Sequence, residues 1–95
     1  MDANISEIRA IADKLLAHLL ESGHNVVSLP HDYYWSIPKD ARYNPYSRPS
    51  ELTLGQISDD LNELKRIHRG ETDPLSYALV WLASVLRAIG EETVI

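Results

Sequence analysis

The chain has 95 residues, a formal net charge of −5 and no cysteine, which allows one domain with a modest core and excludes disulfides, thiolate nucleophiles and sulfur-ligated zinc. The acidic balance argues against nucleic acid as a partner, because that binding depends on Lys and Arg neutralising phosphates. No apolar run approaches the roughly 18 residues of a membrane span, and MDANISEIRA opens on an acid and enters an amphipathic pattern unlike a secretory signal. A soluble, cytoplasmic protein with no membrane partner is therefore expected.

The first helix is predicted over about residues 4–21. Asn4 is positioned as its cap with Glu7 three residues on, and Gly23 follows the last turn as the usual left-handed residue. Ile5, Ile8, Ile11, Ala12, Leu15, Leu16, Leu19 and Leu20 recur at helical spacing and cover about half the circumference. Such a helix faces a core. After it, Val26 and Val27 lie in a short piece over 25–29 that reads as extended, although a single strand cannot make a sheet.

The segment from Leu29 to Glu51 holds four of the five prolines and five of the seven aromatics. Pro30, Pro38, Pro45 and Pro49 each withhold a backbone donor and bias the preceding residue toward extended conformations, so a rigid, mostly irregular arm is expected. Ordering such a stretch costs about 1–2 kcal/mol of backbone entropy per residue, which the rings of Tyr33, Tyr34, Trp35, Tyr43 and Tyr46 can offset by burial or by binding. The economical reading packs Trp35, Ile37 and some tyrosines over the third helix as a lid. The sharper one lines a cleft with Tyr33, Tyr34, Arg42 and Tyr43 against Asp59, Asp60 and Glu63.

A second helix is predicted from Leu54 to about His68, with Thr53 as N-cap, Gln56 completing a capping box and Leu52 stapled onto Ile57. Ile57, Leu61, Leu64 and His68 align on one face with Ile67 beside them, while Asp59, Glu63 and Arg66 point to solvent. Asp60 falls at the margin of the apolar stripe. A carboxylate there wants a partner, and a Tyr hydroxyl, an Arg or the backbone of the arm are the candidates. The third helix is predicted over about 74–89, capped by Asp73 with Pro74 at its first position. It carries no charge from Pro74 to Leu86 and is too apolar for one-sided burial. It therefore reads both as the middle of the fold and as a subunit interface, with a two-fold homodimer as the default. The fold class expected is all-α: one three-helix domain with a long irregular arm between the first two helices.

The combination DYYWSIP at 32–38, RYNPY at 42–46 and PSELTLGQISDDLNEL at 49–64 resembles a family of small uncharacterised bacterial proteins. The resemblance covers the middle of the chain. It implies a bacterial stand-alone domain and brings no activity with it.

Chemical constellations are sparse. The glycines are dispersed as helix punctuation and form no phosphate-cradling loop. His24, His31, His68, Asp59, Asp60 and Glu63 are possible ligands, but no paired-His spacing occurs, so no metal and no cofactor are predicted. His18 reads as a boundary residue, and the basic run Lys65, Arg66, His68, Arg69 complements the dipole of a last helical turn. No catalytic residue is assigned. Tyr33, Tyr34, Trp35, Arg42, Tyr43, Asp59, Asp60 and Glu63 are the predicted binding residues. Aromatics and Arg beside carboxylates are what contact hot spots are made of, so the preferred reading is a non-catalytic interaction or regulatory module. An adaptor or an immunity-type neutraliser of a basic protein fits it. The alternative is a small enzyme or ligand-binding protein with a pocket between the arm and the second helix.

Overall fold

The computed structural model describes residues 1–71 and 75–93. Its elements are α1 (Ile5–Glu21), β1 (Tyr33–Ser36), α2 (Lys39–Arg42), β2 (Thr53–Gln56), α3 (Ile57–His68) and α4 (Leu75–Glu92). The fold of the described residues is thus mixed, four helices with a two-stranded antiparallel sheet, and not the three-helix all-α domain that periodicity predicts. The difference arises inside the arm and at the start of the second helix.

Asn4 caps α1 by accepting the Glu7 amide at 3.0 Å, and Gly23 takes φ of 87° just beyond the helix. The 25–29 piece contains bends and no strand. The extended residues lie further on, where Tyr33, Tyr34, Trp35 and Ser36 pair with Gln56, Gly55, Leu54 and Thr53 respectively. Thr53 therefore caps nothing, and the predicted start at Leu54 gives way to a start at Ile57. Local capping chemistry loses here to a tertiary partner. β-prone aromatics in β1 offer a ladder to residues 53–56, and Asp32 supplies the missing cap from 26 residues away, with Oδ1 accepting the Ser58 amide at 2.7 Å. The Asp32 carbonyl also accepts the Ile57 amide at 2.7 Å. Asp73 and Pro74, the predicted cap of the last helix, lie outside the described residues.

Gly55 is what lets the ribbon close on itself. Opposed residues of an antiparallel pair share a face, so the Tyr34 ring lies across Gly55, and a Cβ added there would collide with Tyr34 Cζ. α4 packs on α3 beyond the ribbon. Among the described residues the buried apolar side chains are Ile57, Ala78 and Val85, with none below 2 % exposure. That is a thin core, and Trp35 is not the lid that would thicken it, since its side chain stands 67 % exposed. No helix among the described residues is long and apolar enough to cross a membrane.

Gly55→Ala is expected to destabilise the protein by about 1–3 kcal/mol through the clash with Tyr34, measured by chemical denaturation. In a Tyr34→Ala background the same substitution should be far less damaging, because the ring it strikes is gone.

Candidate interaction site

The arm is held to the helices at two carboxylates. Asp32, immediately before β1, binds the start of α3: besides the Ser58 amide, its Oδ2 accepts from Gln56 Nε2 at 2.7 Å and from Ser58 Oγ at 2.9 Å. These donors favour the ionised form, Gln56 most strongly, and hold the Asp32 carboxyl below its ordinary value. Gln56 thus does bind at the helix start, but to a carboxylate from the arm and not to a Thr53 capping box.

The second carboxylate is Asp60, 8 % exposed on α3. Its Oδ2 accepts the Tyr34 hydroxyl at 2.5 Å and the Ser84 hydroxyl, also at 2.5 Å. Strand, helix and helix therefore meet at one oxygen. Burial of the ring, followed by the bond to Asp60, pushes the Tyr34 pKa up, keeping the phenol protonated as donor. Ser84 Oγ also lies 2.7 Å from the Trp81 carbonyl, with one proton to serve both acceptors. No imidazole stands in this group. Both hydroxyls donate to the one carboxylate oxygen, an arrangement that fastens strand to helices.

The remaining predicted site residues divide by role. Arg42, in the single turn α2, donates to the Ile37 carbonyl at 2.5 Å and to Ser36 Oγ at 3.3 Å, so it clasps the end of β1. Glu63 accepts from Arg66 at 2.8 Å, and Glu71 pairs with Arg66 at 3.4 Å and with Arg69 at 3.6 Å, which occupies part of the basic run in surface ion pairs of modest worth. Asp59 is exposed on α3. Tyr33, Trp35 and Tyr43 stand outward, and Trp35 lies beside its cross-strand partner Leu54, which is exposed too.

The cleft beside the arm is not the one the carboxylates of the second helix would make. Its volume is about 550 Å³, and it opens between the arm and α4, with Pro30, Tyr33, Trp35, Ile37 and Arg42 on one side and Val80, Ser84, Arg87 and Glu91 on the other. Asp59, Asp60, Glu63 and Tyr43 do not line it. Among the described residues no three His, Asp or Glu side chains gather as a metal would require. Sequence reasoning missed Asp32, Ser84 and Gly55. Ser84 had a signal, a hydroxyl in an otherwise apolar helix, and so did Gly55, a poor helix former inside a predicted first turn.

Comparison with known proteins gives no match, whether to family models, to curated proteins or to solved structures.

Two outcomes test the anchors. Because the folded-state pKa of Asp32 is depressed, its contribution to stability is present above the unfolded value near 4 and is lost as pH falls through the folded value. Asp32→Asn should flatten the acid limb of a stability profile below about pH 4. For Tyr34 the folded pKa is raised, so its contribution is present below the unfolded value near 10 and is lost as pH rises through the folded one. Asp60→Ala, which strands the Tyr34 hydroxyl while Ser84 keeps the Trp81 carbonyl as acceptor, should destabilise by about 1–3 kcal/mol in a denaturation experiment, with Asp60→Asn milder.

Proposed function

We propose that this protein is a non-catalytic interaction module that presents its aromatic ribbon to another protein. One observation carries the reading: Tyr33 and Trp35 stand 61 % and 67 % exposed on a strand whose intervening residue, Tyr34, is fastened to Asp60. Aromatics held this way lose little conformational entropy on docking, which is the property that makes Tyr and Trp dominate binding energies. Leu54 extends the apolar surface from the paired strand, and Tyr43 lies past α2. A basic partner suits the net charge of −5, as in a regulatory adaptor or an immunity-type neutraliser.

In this reading Tyr34, Asp60 and Arg42 position the surface, and Tyr33, Trp35 and Tyr43 touch the partner. The ligand-binding alternative draws on the cleft between the arm and α4, whose lining includes Arg42, Arg87, Glu91 and Glu92. A partner captured from native extract by the wild type is expected to be lost by Tyr33→Ala/Trp35→Ala, with circular dichroism unchanged. With the purified partner the two substitutions together should weaken binding at least about a hundredfold, as hot-spot truncations do. Undiminished binding by the folded variant would instead sink the ribbon as a docking surface.

A further inference from the structure

The isolated chain exposes far more surface than its mass warrants. Its accessible area is 8236 Å², whereas a folded monomer of 10.7 kDa exposes roughly 5,500 Å². Its radius of gyration, 15.2 Å, likewise exceeds the roughly 12 Å of a compact domain of this length. Much of the apolar part of the excess lies on two helices. α1 buries no residue at all, and Ile5, Ile8, Ile11, Leu15, Leu16 and Leu20 are exposed along it. On α4, Ala78 and Val85 are buried and Trp81 half-buried, while Leu79, Leu82 and Leu86 form a second stripe one helical turn apart that meets solvent.

These stripes already adjoin at one place. Ala12, Leu16 and Leu19 of α1 and Leu86 and Ile89 of α4 line an apolar groove of about 340 Å³. Ala12 and Leu19, along the middle of the α1 stripe, are half-buried, and the isoleucines and leucines on both flanks are open. A helix with half its circumference apolar needs more than one neighbour.

We infer that the chain is an obligate homodimer in which α1 packs between its own α4 and the Leu79, Leu82, Leu86 stripe of a second copy. The area fits that occupant: two chains together carry an excess of about 5,500 Å², enough to supply the roughly 2,000–5,000 Å² that obligate homodimers bury. Two α1–α4 pairs in contact form a four-helix layer, an arrangement that a two-fold axis closes. The inference is independent of the proposed function, which uses the ribbon.

Light scattering coupled to size exclusion, across about a hundredfold range of concentration, should give twice 10.7 kDa and a melting temperature that rises with concentration. Leu16→Glu and Leu82→Glu should each raise the dimer dissociation constant by at least about a hundredfold, whereas Tyr33→Ala/Trp35→Ala leaves the mass unchanged. If a charged variant does not fold, hydrogen exchange of the wild type decides: amides of α1 and α4 lose protection on dilution if these helices form the interface. A folded monomer at every concentration overturns the inference. So does a dimer that survives both charged substitutions, and so does a chain that pairs only with a different protein.

Discussion

The Asp60 carboxylate is the point on which this small structure turns. It accepts one hydroxyl from β1 and one from α4, residues 26 and 24 positions away in the chain. Burying a carboxylate is unfavourable unless its lone pairs are satisfied, and the two hydroxyls provide that satisfaction only when strand and both helices are in place. The bond is therefore conditional on the fold and the fold on the bond. A ribbon of two four-residue strands is marginal alone in water. Fastened through Tyr34 and Asp32, it acquires a fixed orientation against α3.

That fastening explains why the ribbon's outward side chains are informative. Strand alternation makes the two faces of β1 obligate opposites, so turning Tyr34 toward Asp60 turns Tyr33 and Trp35 away. Their exposure follows from the anchor and is not a sign of a loose segment. Arg42 completes the restraint at the far end of the strand by holding the Ile37 carbonyl. Polar geometry thus does in the arm what apolar burial does in larger domains, and it leaves the rings of Tyr33 and Trp35 exposed.

How much of this was legible in the sequence depends on the range of the interaction. Asn4 and Gly23, which act within one turn of α1, are read directly from the chain. Asp60 betrayed its need for a partner by sitting beside Leu64 and Ile67, and a Tyr hydroxyl was among the candidates. Which tyrosine, and the serine opposite it, depend on how α4 crosses α3, and no local pattern records that. Thr53 to Gln56 misled because the capping signal is local while Asp32 and the β1 ladder are not; a glycine in a predicted first turn and a run of three adjacent aromatics were the contrary evidence. The expected lid failed for a related reason: composition shows that Trp35 is large and apolar, but the strand's alternation decides which way it faces.

A thin core and a well-anchored ribbon imply a division of labour between the two halves of the chain. The ribbon orients its aromatics with hydrogen bonds and needs few buried side chains to do so, whereas α1 and α4 carry long apolar stripes that stand exposed in the single chain. Pairing through those stripes would supply the missing core and would also place two ribbons on one particle. A partner with two matching epitopes would then bind the second ribbon at an effective concentration set by the distance between them, gaining avidity without any new contact, provided that the geometry lets both be engaged. A modest affinity at each aromatic ribbon would in that case suffice for a stable complex, and partner binding would weaken wherever the chain is dilute enough for the helices to separate.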